Sequence, residues 1–149
     1  MEVWAFDPFV PTEKMEAEGV KVPATLEELY ANCDYISLHI PANEKTKGSI
    51  NYELLSKMPK GGCLVNTARK EVIDEAGMEK LLADRADLKY VTDIAPANQE
   101  ALEQFKPRFF ATPKKQGAET AEANMNAGLA AARQIVGFIQ NGDVKFKVN

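Results

Sequence analysis

Cysteine and histidine are scarce in this chain, which has two of the former and one of the latter among 149 residues. Cys33 and Cys63 lie beside predicted strands and form no CxxC pair, so we expect free thiols and no disulfide framework. His39 alone is too little for a typical zinc site. These absences favour a protein of the reducing cytoplasm that holds no metal.

Clustered positive charge and long apolar runs are missing as well. The 18 Lys and Arg against 22 Asp and Glu give a net charge of −4, which offers no electrostatic basis for binding nucleic acid or an anionic membrane. No window approaches the roughly 20 apolar residues that span a bilayer. The chain opens directly into a strand-like run, so we expect no signal peptide.

Strand-like and helix-like runs alternate along the whole sequence. Behind capping residues, helical periodicity predicts helices at residues 12–18, 25–31, 51–57, 74–84 and 118–140. Short apolar or alternating runs predict strands at residues 2–6, 20–22, 35–40, 63–66, 88–92 and 109–111, with an exposed one at 144–148. This order predicts one α/β domain with a doubly wound, mostly parallel sheet and right-handed crossovers.

Polar residues follow five of the predicted strands at the point where each strand ends. They are Asp7, His39, the run Thr67–Arg69, Asp93 and Lys114. Because ligands of open α/β sheets bind outside the carboxyl ends of the strands, we expect these residues to form a site along one edge. Arg69 is the main candidate, since a guanidinium binds a carboxylate through two parallel hydrogen bonds.

Each of these residues also has a simpler structural explanation. Arg69 taken alone is an exposed ion-pairing residue, and Asp7 before Pro8 suits an Asx turn. His39 alone is a packed or capping side chain, Asp93 caps a turn, and Lys114 belongs to a solvated basic pair. The convergence of all five on one sheet edge is what favours a binding site.

The sequence offers residues for the adenosine end of a dinucleotide at this edge, but it lacks the turn that usually binds the pyrophosphate. Asp7 can accept both hydroxyls of an adenosine ribose, and Pro41 offers an apolar ledge for an adenine face. The nine glycines, however, include no GxGxxG spacing, which normally lets the backbone approach the pyrophosphate. Gly61 and Gly62 precede a strand and therefore form no such turn.

Four runs taken together resemble the D-isomer-specific 2-hydroxyacid dehydrogenases, namely Ser37–Pro41, Thr46–Asn51, Leu54–Met58 and Val65–Arg69. The pattern is most similar to the short members, without a regulatory domain, that oxidise 3-phosphoglycerate. The similarity runs from Val3 to the C-terminus. It implies that residues 1–149 are a partial NAD-binding domain, an incomplete Rossmann-like sheet that lacks its first βα unit.

The resemblance implies an NAD-dependent enzyme that converts 3-phosphoglycerate to 3-phosphohydroxypyruvate in serine biosynthesis. Arg69 would hold the carboxylate and the keto or hydroxyl oxygen of the substrate. The cofactor-binding residues that it implies, from the adenosine end to the nicotinamide end, are Asp7, His39, Pro41, Thr46, Thr67, Ala68 and Asp93.

Two positions depart from the pattern of the family. The general base is usually a His after Thr112-Pro113, where this chain has Lys114, and the Glu that orients that His is replaced by Asn98. A free Lys titrates near about 10.4, but desolvation and the neighbouring Arg69 would lower its pKa toward neutrality. A carboxylate would raise the pKa of a lysine, so losing the Glu while gaining the Lys is chemically consistent.

Other functions stay open at this point. The same two substitutions suit a non-catalytic NAD-sensing or scaffold relative of the family. A nucleotide-binding module of another class would require the strand-end residues to coincide by chance. We also expect the chain alone to be inactive, and to work as a homo-oligomer (a dimer) or with the missing N-terminal part of the same protein.

Overall fold

Four parallel strands form the centre of the structure. They are β1 (Tyr35–Leu38), β2 (Cys63–Asn66), β3 (Lys89–Thr92) and β4 (Phe109–Ala111), and they lie in the sheet in that order. The computed structural model describes residues 1–113 and 120–147. These residues belong to two units, Met1–Lys114 and Lys115–Asn149. The predicted α/β class with a parallel sheet is confirmed.

The described part of the first unit contains five α-helices, of which the last three lie between strands. They are α1 (Thr12–Ala17), α2 (Leu26–Asn32), α3 (Tyr52–Leu55), α4 (Glu75–Asp84) and α5 (Gln99–Leu102), with 3₁₀ turns at Lys70–Val72 and Glu103–Phe105. Thr25 caps α2 by accepting the N–H of Glu28 at 3.2 Å, and Asn51 caps α3 by accepting that of Leu54 at 3.0 Å. These side chains satisfy backbone donors that the first helical turn leaves open.

The buried core of residues 1–113 lies on one face of the sheet. Ile36, Leu64, Tyr90 and Phe109 are neighbours in register, and each is at most 4% exposed. Alternate residues of a strand point to opposite faces. On the opposite face, Phe110 remains 57% exposed. The buried residues of α3, α4 and α5 form one cluster with the first set, so these helices cover that face.

Three local predictions differ from the structure. Residues 2–6 and 20–22 form only an isolated parallel bridge, between Trp4 and Lys21, and neither run forms an extended strand. The helix α5 went unpredicted, because its four residues are too few to show helical periodicity. The exposed strand predicted at 144–148 is wrong over the described residues, since Asp143 accepts the N–H of Lys145 at 2.9 Å and closes a turn there.

The second unit contains one long helix. In the described range, α6 spans Ala121–Asn141, and Thr120 caps it by accepting the N–H of Ala123 at 3.1 Å. Gly142 ends the helix with a φ of 65°, a left-handed conformation that favours glycine. Among the residues that the structure describes, no helix is both long and apolar enough to cross a membrane.

Two arginines hold the amino ends of the strands. Arg85 forms a bidentate pair with Asp87, with Nε to Oδ1 at 2.9 Å and Nη2 to Oδ2 at 2.8 Å. Asp87 also accepts the N–H of Gly61 at 2.9 Å, which ties the turn before β3 to the turn before β2. Arg108 donates to the carbonyl oxygens of Leu82 at 3.0 Å and Leu88 at 3.2 Å. These bonds fix where the strands start.

We expect Asp87→Asn to lower the free energy of unfolding at pH 7 by about 1 kcal/mol, because the charged pair becomes a neutral contact. The hydrogen bonds from Arg85 and Gly61 hold the pKa of Asp87 well below its ordinary range. Its contribution is therefore complete above the pKa of the unfolded carboxyl, about 3.9, and is lost as the pH falls toward the folded pKa.

Urea unfolding of the wild type and of Asp87→Asn at pH 7 and at pH 3 measures this difference. The difference in free energy of unfolding between the wild type and the variant should be smaller at pH 3 than at pH 7. Glu103→Gln is the matched control, since its ion pair with Lys106 is more exposed and contributes little. A deficit of equal size at both pH values contradicts the role of the charged pair.

Candidate functional site

The carboxyl ends of the four strands lie along one edge of the sheet. Leu38, Asn66, Thr92 and Ala111 are the last residues of the strands, and the parallel register places them side by side. The loops that follow begin with His39, Thr67, Asp93 and Thr112. Three of the five predicted positions, at His39, Thr67–Arg69 and Asp93, thus lie side by side. Asp7 lies outside the four-stranded sheet, contrary to the prediction, and Lys114 lies outside the described residues.

A buried asparagine holds the loop after β2. The Oδ1 atom of Asn66 accepts the N–H of Ala68 at 3.0 Å, and its Nδ2 atom donates to the carbonyl oxygen of Arg69 at 3.1 Å. Asn66 is 0% exposed, whereas the side chain of Arg69 is exposed. No carboxylate in the described part of the chain forms an ion pair with Arg69. Its guanidinium is therefore accessible to an anionic ligand.

The loop after β3 is joined to this one. The N–H of Asp93 donates to the carbonyl oxygen of Asn66 at 3.2 Å. The hydroxyl of Thr92 donates to the carbonyl oxygen of Ile94 at 3.1 Å and accepts its N–H at 3.3 Å. Hydrogen bonds therefore hold the turn at Asp93 before and after this residue. Asp93 itself is partly buried and lies next to the loop that carries Arg69.

The residues predicted for the adenosine end are mostly exposed. The ring of His39 contacts the hydroxyl of Ser37 at 2.9 Å. Thr46 donates its hydroxyl to the carbonyl oxygen of Pro41 at 2.6 Å and accepts the N–H of Asn43 at 2.9 Å. Its hydroxyl is thus used within the loop, where it fixes the position of Pro41. Direct contact of these residues with a cofactor stays a prediction.

Asp7 follows the bridge between Trp4 and Lys21, outside the four-stranded sheet. Its Oδ1 atom accepts the N–H of Phe9 at 2.8 Å, which is the Asx turn that the sequence allowed. The residue is exposed, so the carboxylate also remains accessible. The turn therefore orients Asp7 and leaves its role toward a ribose as a prediction.

Asn98 is anchored on the first turns of α4. Its Nδ2 atom donates to the carbonyl oxygen of Glu75 at 3.1 Å and to the carboxylate of Glu79 at 3.3 Å. Its Oδ1 atom is buried and has no hydrogen-bond partner among the described residues. The amide thus serves as a donor here, which the Glu of the family could not do.

The chemistry of these side chains fits the two ends of a dinucleotide. An exposed carboxylate at Asp7 suits ribose hydroxyls, and the edge from Thr67 to Asp93 suits the nicotinamide end. The described residues contain no group of three His, Cys, Asp or Glu that could hold a metal ion. The pyrophosphate between the two ends would need a glycine-rich turn, and the sequence has none.

Known proteins resemble the chain over its full length. It is 31% identical to the D-3-phosphoglycerate dehydrogenase of Bacillus subtilis, with 100% of this chain and 28% of that protein covered. It is 34% identical to that of Methanocaldococcus jannaschii, with 91% of this chain and 26% of the relative covered. The chain thus spans about a quarter of these two relatives.

A solved structure gives the same result. The NAD⁺-bound 3-phosphoglycerate dehydrogenase of Entamoeba histolytica is 50% identical, with a TM-score of 0.81, and 100% of this chain aligns with 47% of it. Residues 1–115 match the model of the D-isomer specific 2-hydroxyacid dehydrogenase, NAD binding domain. The predicted resemblance and its cofactor, NAD, are confirmed. The chain belongs to the D-isomer-specific 2-hydroxyacid dehydrogenases, as part of their NAD-binding domain.

Proposed function

We propose that the chain is the cofactor- and carboxylate-binding part of an NAD-dependent dehydrogenase that oxidises a D-2-hydroxyacid to the 2-keto acid. The position of Arg69 carries this proposal. Its guanidinium is exposed, has no ion pair with a described carboxylate, and follows a central strand of the sheet. A carboxylate is the anion that such a planar fork binds through two hydrogen bonds.

The substrate that fits best is 3-phosphoglycerate, with 3-phosphohydroxypyruvate as the product, a step of serine biosynthesis. The names of the relatives and of the Entamoeba histolytica structure support this substrate. The phosphate of the substrate needs a basic site, and the exposed Arg69 is reserved for the carboxylate in this proposal. The phosphate would therefore be bound by residues outside this chain.

Each strand-end residue has a role in the proposed reaction. Arg69 binds the carboxylate and the 2-oxygen of the substrate and so orients the C2–H bond. Thr67, Ala68 and Asp93 border the nicotinamide, while Asp7 binds the ribose of the adenosine. Bound NAD⁺ supplies the acceptor for the hydride from C2. Lys114, in its uncharged form, takes the proton from the 2-hydroxyl.

The working protein needs more residues than these. A glycine-rich turn for the pyrophosphate is absent from the sequence, so we propose that residues 1–149 function with a further segment of the same protein. We propose a homo-oligomer, in the first place a dimer, as its assembled state. The free thiols of Cys33 and Cys63 suit the cytoplasm as its compartment.

A chimera tests the proposed clamp. The matching 47% of the Entamoeba histolytica enzyme is replaced by this chain, and reduction of NAD⁺ by 3-phosphoglycerate is measured. We expect activity, and we expect Arg69→Lys to lower kcat/KM by at least about 100-fold, because a point charge loses the bidentate geometry. Arg133→Lys on α6 is the control. A wild-type kcat/KM in the Arg69 variant contradicts the clamp.

The same chimera tests the proposed base. Oxidation requires the uncharged lysine, so kcat/KM rises with pH through the pKa of Lys114. We expect Lys114→Met to remove this rise and to slow the reaction by about 100-fold or more. Lys115→Met, at the neighbouring position, should keep the wild-type profile. If the profile of Lys114→Met matches that of the wild type, another group is the base.

The isolated chain should bind NAD⁺ weakly. Without a glycine-rich turn, no row of backbone N–H groups compensates for the desolvation of the pyrophosphate. Isothermal titration of the purified 149-residue chain should give a Kd of about 1 mM or weaker, or about −4 kcal/mol. Micromolar binding by a monomer, verified by light scattering on the same sample, would falsify the expectation.

A second candidate function is a non-catalytic NAD-sensing or scaffold relative. The anchoring of Asn98 on α4 favours it, because the orienting carboxylate of the family is absent at this position. Formation of NADH from 3-phosphoglycerate by the chimera excludes it. NAD⁺ binding by the chimera without any turnover supports it over the enzyme.

A further inference from the structure

Two polar side chains lie in the buried core of the described residues, and they are neighbours. Asn66 is 0% exposed and Thr92 is 2% exposed. They pair across β2 and β3 in the register of the sheet, each as the last residue of its strand. Burying a polar side chain costs free energy unless its hydrogen bonds are made. Two such residues at the site edge therefore need an explanation.

The hydrogen bonds of Asn66 point forward into the loop after β2. Its side-chain amide bonds to the N–H of Ala68 at 3.0 Å and to the carbonyl oxygen of Arg69 at 3.1 Å. Both polar atoms of the buried Asn66 amide thus hydrogen-bond to backbone. The bonded residues are those proposed to border the nicotinamide and to bind the substrate. Asn66 thus holds the backbone from which the Arg69 side chain extends.

Thr92 does the same for the loop after β3. Its hydroxyl donates to the carbonyl oxygen of Ile94 at 3.1 Å and accepts the Ile94 N–H at 3.3 Å. The residue between them is Asp93, whose N–H donates to the carbonyl oxygen of Asn66 at 3.2 Å. The two loops are therefore tied to adjacent buried anchors and, through one backbone bond, to each other.

We propose that Asn66 and Thr92 form a positioning unit that sets the Arg69 loop and the Asp93 loop at a fixed separation. Neither residue contacts the reacting atoms. Asn66 determines where the guanidinium meets the substrate carboxylate, and Thr92 determines where the turn at Asp93 meets the nicotinamide. The backbone bond from the N–H of Asp93 to the carbonyl oxygen of Asn66 makes the two settings interdependent. The kinetic consequence rests on the proposed function.

In the chimera, we expect each variant to change one of the two Michaelis constants and to spare the other. Asn66→Ala should raise the KM for 3-phosphoglycerate by about tenfold and leave that for NAD⁺ within about twofold. Thr92→Val should raise the KM for NAD⁺ by about tenfold and leave that for 3-phosphoglycerate within about twofold. The double variant should deviate from additivity by about fivefold, because a backbone bond joins the two loops.

Leu64→Ala is the matched control. Leu64 lies on the same face of β2, two residues before Asn66, and is 1% exposed, but it makes no bond to either loop. Its truncation should lower the Tm and leave both KM values unchanged. A loss of stability alone therefore cannot produce the expected signature. If Asn66→Ala changes both KM values equally, the positioning unit is refuted.

Amide hydrogen exchange in the 149-residue chain gives a measurement that needs no activity. Asn66→Ala should speed the exchange of the Ala68 amide by about tenfold or more and spare that of Ile94, and Thr92→Val should do the opposite. Where Asn66→Ala fails to fold, Asn66→Ser replaces it. This variant keeps an oxygen for the Ala68 N–H and loses the donor to Arg69.

The two proposals fail in different ways. An unmodified chimera without activity refutes the proposed function, and the exchange rates then decide the positioning unit alone. An active chimera in which the Asn66 and Thr92 variants show no selective effect on either KM refutes the positioning unit and leaves the proposed function standing. Unchanged exchange at Ala68 in the Asn66 variant refutes the unit in either case.

Discussion

The parallel register of the four strands is the constraint on which the rest of the structure depends. Because Leu38, Asn66, Thr92 and Ala111 pair in one row, the loops after all four strands leave the sheet at one edge. A shift of one residue in any pair would turn the buried side chains of that strand toward the opposite face. The burial of the core and the position of Arg69 are thus set by the same hydrogen bonds.

The two edges of the sheet use their polar residues differently. At the amino ends, Arg85 is paired with Asp87, and Arg108 binds backbone carbonyl oxygens, so these cations are satisfied within the fold. At the carboxyl ends, the buried Asn66 binds backbone, and Arg69 remains accessible. Of these arginines, only Arg69 is exposed, and this difference favours the carboxyl edge as the proposed site.

Sequence reasoning was most successful where local pattern and tertiary contact agree. Strands 63–66 and 109–111 were predicted with their observed bounds, because a buried parallel strand is a short apolar run. Residues 2–6 have the same kind of pattern but form one bridge, since strand length depends on partners that a local pattern cannot specify. Asn66 was not among the predicted site residues, although an asparagine ending an apolar strand was a usable signal for its role in holding the next loop.

Asn98, which the resemblance places where the family has a Glu, makes contacts that the sequence alone did not reveal. The Asn98 amide donates to the carbonyl oxygen of Glu75 and to the carboxylate of Glu79. A glutamate here would lose both donors and place a second negative charge beside Glu79, which costs free energy. Within the proposed mechanism, the neutral amide also adds no anion that would raise the pKa of a lysine base. An asparagine at position 98 therefore donates hydrogen bonds to α4 and also suits the chemistry proposed for Lys114.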